Sequence, residues 1–222
     1  MPLGGQQIVD YAMKSNDLTV WGTCLGFEWV VDAVGGPDAI VGGFDSENYT
    51  VPLLVDGEAA AGSRLFGGAP DAVMRALTTD VTINNHGAGI EPAAFANNSA
   101  LSAALTVLST NVDRKGRPFV STFEAAGGEG APRVFGTQFH PEKNLYEWGL
   151  SADGTPYEAI NHSPDGVLVA QYFANFLVAQ ARTSSASFGS AEAENAALFY
   201  NESTSEAEAP EFVQAYFVTR FN

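Results

Sequence analysis

Nine residues, Val20-Trp21-Gly22-Thr23-Cys24-Leu25-Gly26-Phe27-Glu28, constrain this chain more than any other stretch. Residues 18–21 are apolar and read as a short strand, and residues 25–34 (LGFEWVVDAV) read as a helix. Between them stands Gly-x-Cys-x-Gly, holding the one cysteine of the chain. A side chain displayed at a strand-to-helix turn needs a strained backbone, and flanking glycines make room for it. The helix that follows aims its N-terminus at the sulfur, where its dipole and free N–H groups favour a thiolate and can hold an oxyanion. The plain alternative is a buried, inert cysteine.

A single cysteine permits no intrachain disulfide, so cysteine count says nothing about the redox compartment. The 222 residues suit one domain, 1–222, and an apolar share of 45% is enough for a core. A net charge of −16 argues against nucleic acid and against an anionic membrane surface as partners. No apolar run approaches the roughly 20 residues that cross a bilayer. Four N-x-[ST] sequons, at Asn48, Asn97, Asn161 and Asn201, point towards the secretory route, yet the chain opens without a charged segment followed by an apolar core.

Along the chain, residues 6–16 read as an amphipathic helix and Gly35-Gly36-Pro37 ends the helix after the cysteine. Residues 51–55 read as a short strand, 71–77 as a helical turn or two, 81–90 as a turn-rich stretch containing His86, and 92–104 as a helix broken near Asn97-Asn98. Residues 105–110 and 118–123 flank a polar turn and predict a hairpin. Residues 133–139 predict a strand that runs into His140-Pro141-Glu142-Lys143. Ser163-Pro164-Asp165 is a helix start, with apolar residues recurring at helical spacing as far as Arg182. Beyond a small polar linker, residues 192–199 predict an acidic helix or turn and 212–217 a last strand.

A thiol nucleophile needs a base, and the base needs an orienting group. His140 and Glu142 stand two apart on what reads as an extended segment, kept rigid by Pro141, so the carboxylate falls on the side of the imidazole. A turn histidine is the alternative for a lone His-Pro-Glu. Glu28 lies one helical turn after Cys24, on the same side as the sulfur, where it would accept an N–H from a substrate or merely complement the helix dipole. Gln138, just before His140, reads equally as a substrate contact or an ordinary polar strand residue.

The order Cys24, then His140-Pro141-Glu142, resembles the class I glutamine amidotransferase superfamily. The longer stretches Val20–Glu28, Gly136-Thr137-Gln138-Phe139-His140-Pro141-Glu142-Lys143, Tyr146-Glu147-Trp148 and Ile160–Pro164 are similar to γ-glutamyl hydrolase, from roughly residue 8 to the end. The resemblance implies an α/β fold: a three-layer α/β/α sandwich on a mostly parallel, flavodoxin-like sheet, with the site at the carboxyl ends of its strands. It implies Cys24 as nucleophile, His140 as base and then acid, Glu142 as orienter, Leu25 as an oxyanion N–H donor, and His86 near the active site. It implies hydrolysis of γ-glutamyl amides in folate polyglutamates through a thioester, a homodimer, no metal and no cofactor. A vacuolar, lysosomal or extracellular location follows from the same resemblance.

The chain departs from the pattern at its start, where the family's early strands and Pro-Gly-Gly turn have no counterpart. A shortened N-terminus is therefore expected. A polyanionic substrate also needs local positive charge, and Lys143, beside the catalytic segment, is the candidate. Arg64, Arg75, Arg114, Lys115 and Arg117 read as surface charge. Two other readings stand beside hydrolysis of folate polyglutamates. A glutaminase domain feeding a synthetase would carry glutamine where this chain has Glu28, and an inactive relative would keep the fold as a binding protein.

Overall fold

The strand before the cysteine, β1 (Thr19–Thr23), follows a first helix α1 (Leu3–Ala12) and leads through Cys24 into α2 (Leu25–Gly35). In the computed structural model, which describes residues 3–204 and 215–217, β1 has one strand neighbour, β7 (Arg133–Thr137), and runs parallel to it from Thr19↔Arg133 to Thr23↔Thr137. Alternation along both strands then decides the layers. Val20 and Val134 pack towards α2, while Trp21 contacts Phe173 and Phe135 contacts Phe176, both on α8 (Pro164–Ala181).

Between β1 and β7 in sequence come β2 (Val41–Val51), β3 (Leu54–Val55), α3 (Gly57–Ala61), α4 (Asp71–Ala76) and β4 (Thr82–Gly89). Then follow α5 (Pro92–Asn97), α6 (Ser99–Ala104), β5 (Leu105–Val112) and β6 (Pro118–Ala125). The main sheet has the order β1-β7-β6-β5-β3. One apolar cluster, with Val9, Phe27, Val31, Phe95, Leu101, Phe123 and Val134, lies under α1, α2, α5 and α6. A second, with Leu53, Leu65, Leu77, Leu108, Phe139, Val169 and Phe173, lies under α3, α4 and α8. The three-layer α/β sandwich is thus present.

The sheet is mixed rather than mostly parallel in the described residues. β1·β7 is parallel, whereas β7·β6, β6·β5 and β5·β3 are antiparallel. For β5 and β6 the cause is connection length: a five-residue turn, 113–117, can only reverse the chain, while a parallel neighbour needs a long crossover. The expected hairpin is therefore real, and the parallel character is confined to the pair that carries the site.

The stretches 41–51 and 82–89 form a separate antiparallel ribbon, β2·β4. Local sequence gives no strand signal in the first before Val51, and the second reads as turns. Gly42, Gly43, Gly87 and the Asn84-Asn85 pair are turn residues by propensity, but here irregularities between Gly42 and Tyr49 absorb them within a ladder. The break at Asn98 is confirmed, since its side chain caps α6. Ser163 caps α8 through the N–H of Gly166, as read. After α7 (Lys143–Tyr146) and α8 come α9 (Ala191–Ala196) and the short pair β8 (Ser203–Thr204) and β9 (Tyr216–Phe217). Residues 212–214 of the expected last strand lie outside the described residues.

Candidate active site

Cys24 holds φ 50° and ψ −105°, a conformation that non-glycine residues rarely adopt. Two backbone bonds fix it there. Its N–H donates to the Thr137 carbonyl at 2.8 Å, extending the β1·β7 ladder by one residue, and its carbonyl accepts from Glu28 N–H at 3.0 Å, opening α2. Of the two flanking glycines only Gly22 is sterically required: a Cβ there would stand 2.5 Å from the Gly26 carbonyl oxygen, whereas one on Gly26 would meet nothing within 4 Å. Leu25 is the first residue of α2, so its N–H is among those that helix geometry leaves unpaired.

The parallel register sets β7's end beside β1's, and His140 follows two residues beyond Gln138. Its N–H donates to the Ile83 carbonyl of β4 at 2.9 Å. Its Nδ1 lies 2.6 Å from Glu142 Oε1, and Cys24 is close enough to act on the ring's protonation. With Nδ1 engaged by the carboxylate, Nε2 is the nitrogen left for the sulfur. Burial lowers the imidazole's proton affinity, but nearby Cys24, the Glu142 bond and the charges of both outweigh it and raise the pKa to about 9. His140 therefore carries a proton at neutral pH.

The expected contact is present, though not by the expected geometry. Glu142 has φ −71° and ψ −27°, in the turn that starts α7, so a turn rather than period-two alternation folds its carboxylate back onto the ring.

The other candidates sort differently. Glu28 is half-buried and accepts from Gln138 Nε2 at 3.1 Å. Burial raises its pKa, the Gln138 bond opposes the rise, and Asp32 adds to it. Gln138 itself is fully buried, so it holds Glu28 rather than facing the cleft. His86 is buried, donates Nδ1–H to the Ala88 carbonyl at 2.7 Å, and packs edge-on against Phe119. Its Nε2 is buried and makes no protein hydrogen bond. Burial pushes its pKa down to about 4, and nearby His140 pushes the same way against the Ala88 bond. It is a neutral acceptor.

Lys143 is a correction. It is only 6% exposed, and its ammonium pairs with Glu158 at 2.5 Å, so it is not a free cation for a substrate carboxylate. The cations of the β5–β6 turn are also paired, Arg114 and Lys115 with Asp45 and Arg117 with Glu91.

Sequence reasoning missed Asn85 and Glu158. The Asn85 carbonyl oxygen lies 3.9 Å from Cys24 Sγ, within reach of a weak thiol hydrogen bond, and its Nδ2 donates to Glu158 Oε1 at 2.7 Å. No spacing joins either residue to Cys24, so no sequence signal was available. Beyond Glu158 opens a pocket of about 550 Å³, walled by Trp148, Leu150, Tyr157 and Ile160. The Trp148 indole stacks on His162 at 3.6 Å.

The dyad can thus take a proton from sulfur, hold it on an oriented imidazole, and return it to a leaving group. Comparison with known proteins places the chain in a family. Residues 4–152 match the model of the family described as glutamine amidotransferase class-I. The chain is 34% identical to gamma-glutamyl hydrolase B of Dictyostelium discoideum over 87% of its length and 53% of that protein. It is 35% identical to gamma-glutamyl hydrolase 1 of Arabidopsis thaliana over 81% of its length and 50% of that protein. For the gamma-glutamyl hydrolase of Homo sapiens the figures are 36%, 82% and 53%. The chain therefore spans about half the length of these relatives. The family match runs through the elbow at Cys24, the ribbon and the oriented histidine at the end of β7, and on that ground the chain belongs to the class-I glutamine amidotransferase family.

Proposed function

We propose that this chain is a cysteine hydrolase that cleaves γ-glutamyl amide bonds of folylpoly-γ-glutamates, working as a single domain over 1–222. The observation that carries the reading is His140, bonded to Glu142 and placed near a cysteine held at a strained strand-to-helix turn. The names of the relatives supply the bond type.

In this reading the sulfur of Cys24 attacks the γ-carbonyl carbon and its proton resides on His140. The oxyanion is met by the Leu25 N–H at the start of α2. The C–N bond then breaks, His140 gives its proton to the leaving nitrogen, and a γ-glutamyl thioester remains on Cys24. His140, now neutral, takes a proton from water as it attacks the thioester. The terminal glutamate having left as the amine, the folyl-γ-glutamyl product now leaves with its γ-carboxyl formed, and sulfur and imidazole share the proton again. Glu142 keeps the imidazole oriented throughout and stabilises its charged form. His86, neutral with Nε2 open, suits a substrate N–H or O–H donor, and Glu28, steadied by Gln138, suits an N–H near the sulfur.

The reading extends to a homodimer in a vacuole, a lysosome or the extracellular space. Among the described residues no helix is long and apolar enough to cross a membrane. The side-chain amides of Asn48, Asn161 and Asn201 are engaged in hydrogen bonds, so a glycan is proposed at Asn97, exposed at the end of α5.

The test is release of glutamate from a pteroyl-γ-glutamyl-glutamate by the purified chain. Release that disappears in Cys24→Ala supports the reading. No release, or release unchanged by that substitution, refutes it.

A further inference from the structure

Two arginines meet on the face of the sheet that α8 covers, at the end remote from Cys24. Arg133 opens β7, and Phe135, two residues on, shares its face and contacts Phe176 of α8. Arg64 reaches that face from the segment after α3. Its guanidinium lies 4.8 Å above the Phe135 ring, and it donates from Nη1 to the Ala131 carbonyl at 3.1 Å and from Nη2 to the Pro132 carbonyl at 2.9 Å. It is therefore held against the residues just before Arg133. From the sequence Arg64 reads as surface charge, but in the fold it is half-buried. Burial lowers its pKa, the Glu124 carboxylate opposes the fall, and the charge of Arg133 adds to it.

Both arginines line one recess of about 390 Å³, whose other walls are Asn16, Ala131, Gln180 and Thr183. Among the described residues no acid lines it, in a chain of 26 acidic and 10 basic residues. Neither arginine is in an ion pair among the described residues. Glu124, which acts on Arg64 through space, turns its oxygens to the backbone N–H groups of Arg64 and Leu65. Two cations against that one acid leave the recess positive. A guanidinium is a fork of N–H donors. Arg64 spends two of them on carbonyls, and Arg133 spends its Nε on Thr19 Oγ1 at 3.1 Å. Arg64 Nε and Arg133 Nη2 are buried with no protein acceptor. Like charges held together are costly, and so is a buried donor without a partner. An oxyanion seated between the two forks supplies both the missing charge and the acceptors. Complementing the C-terminal end of α8 is the simpler role for two cations there, yet their hydrogen bonds go to Ala131, Pro132 and Thr19 and none to α8.

We propose that Arg64 and Arg133 form a second binding site, which takes the oxyanion group, carboxylate or phosphate, of a small solute. It is separate from the thiol. Thr19↔Arg133 is the first rung of the β1·β7 ladder and Thr23↔Thr137, beside Cys24, the last, a span of about 13 Å along the strands. The proposal does not rest on the hydrolytic reading.

The test is calorimetric titration of the purified chain at neutral pH and low salt, with inorganic phosphate in one arm and glutamate in the other, against sodium chloride at matched ionic strength. At least one of the two anions should bind saturably at one site and raise Tm as its concentration rises. Arg64→Gln and Arg133→Gln should each weaken that binding about tenfold or more. Arg75→Gln removes the same charge from an exposed position outside the recess and should leave the binding unchanged. Arg133→Lys keeps the charge but loses the fork, so it should weaken binding severalfold, and it decides the matter should both glutamine variants fail to fold. Binding of phosphate alone would assign the site to phosphate groups, and binding of glutamate would assign it to carboxylates. If neither anion binds beyond the chloride control, or if the recess variants bind as Arg75→Gln does, the proposal is overturned. Arginines that serve only α8 would lower Tm when replaced and leave it indifferent to either anion.

Discussion

Replacing Gly22 by alanine tests the elbow without touching a catalytic side chain. Gly22 sits in β1 opposite Gly136, and its missing Cβ is the space into which the first turn of α2 fits. An ideal Cβ would lie 2.5 Å from Gly26 O, 2.6 Å from Gly26 C and 2.8 Å from Phe27 N. All three are backbone atoms, so no rotamer change relieves the overlap, and ordinary contact requires the helix start to back away by close to 1 Å. Such overpacking costs about 1–3 kcal/mol, which for a chain of this size lowers Tm by roughly 2–12 °C. The same displacement carries Cys24 and the Leu25 N–H away from His140, and a misplacement of about 1 Å costs on the order of 100-fold in rate. Gly26→Ala is the control. It meets nothing within 4 Å and lies inside α2, so helix propensity should leave Tm unchanged or raise it, by up to about 1 kcal/mol in stability. The assays are calorimetric melting and glutamate release for both variants. Gly22→Ala with wild-type Tm and turnover, or Gly26→Ala melting as early as Gly22→Ala, would refute the steric account.

Cys24→Ala should abolish hydrolysis while keeping the melt cooperative, since the thiol's hydrogen bonds are few and it is only partly buried; residual turnover at wild-type level would exclude the thioester route. His140→Asn should cost orders of magnitude in kcat/KM and Glu142→Gln less, and the NMR titration of His140 in the latter should drop from about 9 towards its ordinary value, because the charge at 2.6 Å is gone; an unmoved titration would mean that Glu142 is not the orienter. Stability should peak between about pH 6 and 7. The raised His140 contributes stability that is complete below its ordinary pKa and is lost as pH climbs through about 9. The depressed His86 acts oppositely, with its contribution complete above its ordinary pKa and lost as pH falls towards about 4. The alkaline loss, about 1–2 kcal/mol after allowing for the half-exposed Glu142, should vanish in His140→Asn, and urea midpoints across pH 4 to 9 decide it.

Local chemistry made much of the chain legible. The helix after Cys24, the capped start of α8, the break at Asn98 and the β5–β6 hairpin each depend on residues within a few positions of one another. The ribbon of β2 and β4 was not legible, because glycines and asparagines there adopt extended backbone only when a partner strand supplies the hydrogen bonds. Glu142 shows a subtler case: its partnership with His140 was read from spacing, yet the contact depends on a turn that the Pro141 argument did not contain.

By itself, the sequence determined the turn that displays the one thiol. A glycine that a helix must touch, a lone cysteine and a helix start are adjacent in the chain, and adjacency is enough to shape a turn. The tertiary structure alone decided what surrounds that sulfur. The parallel pairing of β1 with β7 brings His140 to Cys24 across more than a hundred residues, and the antiparallel β5·β6 and β6·β7 pairs follow from loops too short to cross over. It also decided that Gln138 is buried behind Glu28, that Lys143 is already paired, and that Glu158 stands at the pocket. The reason is that charge partners and burial depend on which distant segments the chain folds across a residue, and periodicity along one segment carries no information about them.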